Sequence, residues 1–294
     1  MRQRRCNANN ANKRAGNGVS FEMRSVALAD PDGPWVVHTL GERGEWVVCW
    51  PSVLSDHRGM LAFATNLATR FRVLLIDPPG YCTNHSRTNL GTLAELSLLV
   101  ERTLKSMNIA HFHWVGMGMG AHLGVAMQHK NPERMLTATF ASMPLIRAAR
   151  VSLWHRALQD VALRTDFGRR KMVAHVCEQM HGADESERST VLEYINLAFA
   201  DSNTEVLRKV RPTSQAQLNA LRRVLQTSQV PSLFLAGQHD RFCLPRDQQT
   251  AAQLLARSKF LVLDCGFMSM LIKPQESAQA VMEFIDKFAD EAPN

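Results

Sequence analysis

Glycines stand at 116, 118 and 120 in the segment HFHWVGMGMGA (residues 111–121), where an apolar run passes into a helical one. Glycines two apart at such a junction mark a very sharp bend, because residues without a Cβ let two backbones approach without clashing. A strand that turns at once into a helix is the repeating unit of an α/β sheet. The rest of the chain fits that reading. Val26–Ala29, Trp35–Leu40, Trp46–Trp50, Arg72–Ile76, His111–Val115, Leu136–Ala141, Ser232–Ala236 and Phe260–Asp264 read as short strands. Several are continuously apolar (VLLI, LFLA, FLVL), as strands covered on both faces of a parallel sheet must be.

Helical patterns lie between these runs. Residues 92–107 open with Thr92 three before Glu95, a capping box, and carry Leu93, Leu96, Leu99, Val100, Leu104 and Met107 on one stripe. Residues 275–288 start after Pro274 and turn Ala278, Val281, Phe284, Ile285 and Phe288 inward. Residues 145–229 break the alternation, with helical stretches near 151–164, 169–180, 187–200 and 204–226 and no convincing strand. The expected organisation is a core over 23–144 and 230–294, interrupted by an all-helical cap over 145–229.

Charge is uneven. The net charge of +7 gathers in residues 1–20, where Arg2, Arg4, Arg5, Lys13 and Arg14 meet no acid; the remainder carries 29 basic and 27 acidic residues. A basic globular face for nucleic acid is therefore not supported, and only the arm 1–22, expected to be disordered, could contribute to one. Met23 is an alternative start. No run approaches the roughly 18–20 apolar residues of a membrane span, and no secretory leader pattern follows the basic start. Six cysteines without paired spacing suit free thiols in a reducing compartment, so a cytoplasmic location is expected. No histidine or cysteine spacing of a metal site occurs, and G-x-G-x-G is not a dinucleotide fingerprint; neither metal nor cofactor is expected.

Here the chain resembles the α/β-hydrolase superfamily, in the subgroup with a helical cap, over most of residues 25–290. HFHWVGMGMGA looks like its nucleophile elbow and Trp46–Ser55 like its third strand and oxyanion loop. RVLLIDPPG (72–80) looks like the next strand with its Asp-x-x-Gly turn, and NPER (131–134) like the stop after the elbow helix. GQHDRFCLP (237–245) looks like the loop of the catalytic acid and DCGFM (264–268) like that of the histidine. The resemblance implies a mostly parallel eight-stranded sheet flanked by helices, with the inserted cap.

It also implies positions for a catalytic triad, and there the sequence departs from the family. The nucleophile position is Gly118, the histidine position is Phe267, and only the acid, Asp240, is of the family's type. The His-Gly pair that opens the oxyanion loop reads Trp50–Pro51, and proline has no N–H to donate. Loss of nucleophile or base costs a serine hydrolase about a million-fold in kcat. The expectation is thus a non-catalytic binding or scaffold protein, with a protein partner or an apolar small ligand. Its pocket would be lined by Trp50, Pro51, His57, Met117, Gly118, Met119, Met143, Phe267 and Met268. The alternative is a hydrolase-family enzyme of unusual mechanism, using Asp240 with a non-standard partner such as His239 or His57.

Overall fold

The computed structural model describes residues 21–53, 55–145, 164–210 and 213–289. Its strands are β1 (Arg24–Leu28), β2 (Trp35–Leu40), β3 (Trp46–Trp50), β4 (Arg72–Ile76), β5 (Phe112–Met117), β6 (Met135–Ala141), β7 (Ser232–Gly237) and β8 (Ser258–Leu263). They form one eight-stranded sheet in the order β1-β2-β4-β3-β5-β6-β7-β8. β1 and β2 pair antiparallel, as do β2 and β4; every pairing from β4 through β3 to β8 is parallel.

Alternation along the strands divides the core. Val47, Cys49, Val73 and Leu75 face one cluster, which α1 (Leu61–Leu67), α9 (Ser269–Ile272) and α10 (Pro274–Ala289) complete. Val48, Trp50, Leu74 and Ile76 face the other, covered by α2 (Leu93–Ser106), α3 (Met119–Lys130) and α8 (Pro245–Ala252). Both faces of the central strands are therefore buried, which is why their sequences are apolar without interruption. The Thr92–Glu95 capping box expected for α2 is present in both directions.

Between β6 and β7 lie the helices α4 (Asp166–Met180), α5 (Glu185–Ala200), α6 (Thr204–Lys209) and α7 (Gln215–Thr227). The first three pack on the cluster that holds Met117 and Phe267, whereas Leu218, Leu221 and Leu225 of α7 join the cluster on the α2–α3 face. The insertion expected as a single cap therefore covers both sides of the sheet. The expected stretch 204–226 is two helices, because Ser214 and Gln217 form a capping box that begins α7 afresh. The helix expected near 151–164 and most of the arm lie outside the described residues. The cap is fastened to the core by side chains. Tyr194 Oη accepts from Asp56 N at 2.8 Å, and Arg58 pairs with Asp201 at 2.7 Å.

The five described cysteines are buried, and none is in a disulfide. Among the described residues no helix is long and apolar enough to cross a membrane.

Candidate active site

Parallel strands deliver their following loops to one edge of the sheet, and the functional candidates come together along it. At its centre β5 ends at Met117 and α3 begins at Met119. Gly118 between them has φ 56° and ψ −111°, a conformation strained for any other residue. The flanking glycines are required by proximity. A Cβ on Gly116 would lie 2.2 Å from Gly120 O, and one on Gly120 would lie 2.3 Å from Trp50 O. The bend read from the glycine spacing is built as the spacing implied.

The space over Gly118 is not vacant. A Cβ there would stand 2.3 Å from Ser52 Oγ and 3.0 Å from Phe267 Cζ. Phe267 is buried and held at both ends of its backbone: its N–H donates to Met180 O at 2.9 Å, and its carbonyl accepts from Ser142 Oγ at 2.9 Å. The Phe242 ring meets it edge-on at 5.7 Å. Glu187, in the first turn of α5, accepts from Gly182 N at 2.7 Å and Gly266 N at 2.8 Å, so the cap grips the loop that carries Phe267.

Asp240 follows β7. Its Oδ1 accepts from Phe242 N at 2.9 Å and Cys243 N at 2.7 Å. Oδ2 is buried with no hydrogen-bond partner among the described residues. Burial pushes this carboxyl up to about 6, against the opposing pull of the Cys243 N–H, the Ser142 hydroxyl and the Phe242 N–H. A carboxylic acid that titrates near neutrality is suited to proton transfer.

The two histidines expected as its partners are engaged elsewhere. His239 Nε2 pairs with Asp264 Oδ1 at 2.9 Å, on the solvent side of the loop. His57 is buried in the 3-10 turn His57–Met60, where its N–H and Nδ1 bond Asp77 Oδ1 at 2.7 and 3.0 Å. Thr83 Oγ1 donates to Asp77 Oδ2 at 2.6 Å, and His38 Nε2 stands 3.4 Å from the same oxygen. Burial alone would raise the Asp77 pKa. The charge and hydrogen bonds of His57 and His38 outweigh it and hold the carboxyl well below the usual carboxylate range. His57 is raised, the attraction of Asp77 overcoming the burial that opposes it.

Among the described residues, His38, His57 and Asp77 offer ligand atoms within 4.8 Å of one another and are the group that could hold a metal. An ion there would have to replace hydrogen bonds the three already make. The sequence reading missed this group because β2, a 3-10 turn and the end of β4 supply one member each, at no motif-like spacing.

The expected apolar pocket also needs correction. Met117, Phe267 and Met268 lie in the core cluster beneath the cap, whereas Trp50 and Met143 lie in the cluster on the α2–α3 face. Alternation along β3 sends Trp50 through to the far side of the sheet, so these residues do not converge on one cavity. Pro51 and Gly118 are buried, and Met119 is half-buried.

A model of the alpha/beta hydrolase fold matches residues 36–274. The chain is 28% identical over 233 residues to a pimeloyl-[acyl-carrier protein] methyl ester esterase of Stenotrophomonas maltophilia, covering 74% of this chain and 84% of that one. It is 30% identical over 119 residues to a 2-hydroxy-6-oxononadienedioate/2-hydroxy-6-oxononatrienedioate hydrolase of Cupriavidus pinatubonensis, a match to 38% of this chain and only 41% of that one. The enol-lactonase of Burkholderia xenovorans LB400 superposes with a TM-score of 0.71 at 21% identity, over 90% of this chain and 97% of the other.

These matches overturn the expectation of a non-catalytic scaffold. The relatives that align across three quarters of the chain are esterases, and they favour an enzyme that departs from the family's usual residues. The sharp elbow, the strand order and the match across residues 36–274 place this chain in the α/β-hydrolase family.

Proposed function

We propose that this protein is a hydrolase that cleaves an ester or a related small acyl substrate by acid–base chemistry centred on Asp240. The observation that carries the reading is the Asp240 carboxyl: Oδ1 is fixed by two N–H groups, Oδ2 makes no full hydrogen bond among the described residues although the Ser142 hydroxyl acts on the group, and the group titrates near 6 at the edge of the sheet. The esterase relatives supply the reaction class. A carboxylate of this kind takes a proton from an attacking hydroxyl or water and returns it to the leaving alkoxide. His239 and His57 are bound to other carboxylates, so the partner of Asp240 is a hydroxyl rather than an imidazole. Met117, Phe267 and Met268 would meet the apolar part of the substrate. The buried thiols suit a reducing compartment such as the cytoplasm.

The test is turnover of methyl and p-nitrophenyl esters of short to medium acyl chains, measured from pH 4 to 9. Activity should rise through pH 6 as Asp240 ionises, and Asp240→Asn should lower kcat by about 10²–10⁴-fold. Turnover that is indifferent to Asp240→Asn, or absent on every ester, would refute the reading.

A further inference from the structure

We propose that Ser52 is the nucleophile of this enzyme, standing where a side chain at residue 118 would stand. The inference rests on the hydrolase reading above and names the hydroxyl that reading requires.

Strand register brings the two residues together. β3 and β5 pair in parallel with Trp50 opposite Gly116, so the chain two residues further on sets Ser52 beside Gly118. The contact is closer than two side chains could share. A Cβ on residue 118 would lie 2.3 Å from Ser52 Oγ and 3.1 Å from Ser52 Cβ. Glycine at 118 and serine at 52 are therefore one arrangement: the elbow gives up its side chain, and a hydroxyl from the neighbouring strand end fills the space. Ser52 is 2% exposed.

The surroundings suit an alkoxide. Gly118 is the N-cap of α3, a helix of 12 residues, and Gly118 O accepts from Ala121 N and His122 N. The N–H groups of Met119 and Gly120 have no acceptor within the helix. The partial positive charge of such a helix start favours negative charge beside it. Of the other buried hydroxyls along this edge, Ser269 Oγ has no hydrogen-bond partner among the described residues and serves as the control in the labelling test, while two have partners of their own. Ser142 Oγ donates to Phe267 O, and Ser55 Oγ shares a hydrogen bond with Tyr194 Oη at 2.7 Å.

The step balances without a co-reactant. Ser52 Oγ attacks the ester carbonyl carbon and forms a C–O bond, while its proton passes to the Asp240 carboxylate. The tetrahedral adduct collapses, the bond to the leaving oxygen breaks, and the proton on Asp240 passes to the departing alcohol. Water then hydrolyses the acyl-serine with Asp240 again accepting a proton, which returns both groups to their starting state.

The experiment is fluorophosphonate labelling of the full chain followed by peptide mass spectrometry, alongside the ester assay. The expected result is one adduct, on Ser52. Ser52→Ala should abolish it and lower turnover by at least about a thousand-fold, while Ser269→Ala keeps the adduct. Mapping the adduct on the unmodified chain does not depend on any variant folding. An adduct on another serine, no adduct at all, or ester turnover that survives Ser52→Ala overturns the assignment. Turnover lost in Asp240→Asn but retained in Ser52→Ala would leave the hydrolase reading standing and remove only the nucleophile. An adduct on Ser52 in a chain that turns over no ester would do the reverse.

Discussion

Two buried carboxylates end strands on the same edge of the sheet, and they have opposite surroundings. Asp77, after β4, is met by the N–H and Nδ1 of His57, by Thr83 Oγ1, and by His38. Asp240, after β7, has one oxygen held by two backbone N–H groups, while the other makes no full hydrogen bond among the described residues and has only the Ser142 hydroxyl near the carboxyl. Burial opposes ionisation at both, but only at Asp77 do nearby charges overcome it. A saturated carboxylate is a permanent charge that knits three elements together. An undersaturated one holds its proton loosely at neutral pH and can pass it on. Burial alone does not separate a structural acid from a chemical one; the count and charge of its donors do.

The largest expected effect follows from Asp77. Asp77→Ala removes the acceptor of several buried donors and leaves the His57 and His38 rings, 4.2 Å apart, without the carboxylate that both face. Breaking one side of a buried, charged network costs about 3–5 kcal/mol. Urea unfolding at pH 7 should show that loss, and a cost under about 1 kcal/mol would mean that the network carries little of the fold's stability.

The next effect concerns Asp240 and pH. The folded carboxyl titrates near 6 and an unfolded aspartate near about 3.9, so the folded state retains a proton that the unfolded chain releases. Stability from this group is therefore present below about pH 4 and is lost as pH rises through 6, by about 3 kcal/mol in all. Asp77 has the opposite sign: its contribution is present above pH 4 and is lost as acid protonates it. The raised His57 stabilises below its unfolded pKa and ceases to do so as pH rises through its folded value. Asp240→Asn should be neutral or stabilising at pH 8 and should flatten the decline between pH 4 and 6. A variant less stable than the parent at pH 8 would show that Oδ2 has a partner that matters.

Fold and site were unequally legible in the sequence. Each of the eight apolar runs became a strand, with ends shifted by no more than two residues. Two-sided burial demands uninterrupted hydrophobicity in the central strands, whereas the edge strands β1 and β8 are only partly buried. The capping box of α2 and the glycine bend were local and therefore readable. Asp240, its flanking N–H donors and Phe267 fell on loops that the family resemblance placed. The lack of a full hydrogen bond at Asp240 Oδ2 did not show, because whether a carboxyl is partnered is a tertiary fact. Nor did the side of the sheet taken by Trp50, which depends on strand phase. The neighbourhood of Ser52 and Gly118 did leave a signal. Parallel pairing of 46–50 with 112–116 carries residue 52 to residue 118, and a serine opposite a glycine at an elbow is the trace to look for.

That pairing yields the smallest effect and a direct measure of the crowding at the elbow. Gly118→Ala should be destabilising for two separable reasons. A non-glycine residue at φ 56° and ψ −111° carries backbone strain of about 1–3 kcal/mol, wherever its side chain goes. The added methyl also overlaps Ser52 Oγ, which must be pushed aside in a buried site at a further cost of about 1 kcal/mol or more. Ser52→Gly removes the overlap with the hydroxyl and leaves the backbone strain and the 3.0 Å approach to Phe267 Cζ. In a double-mutant cycle read by urea unfolding, Gly118→Ala should therefore cost about 1 kcal/mol less in the Ser52→Gly background than in the parent chain. Equal costs in the two backgrounds would mean that the hydroxyl does not occupy the elbow. Asp240 would then have to find its hydroxyl elsewhere along the edge, even if the chain proved to be an active esterase.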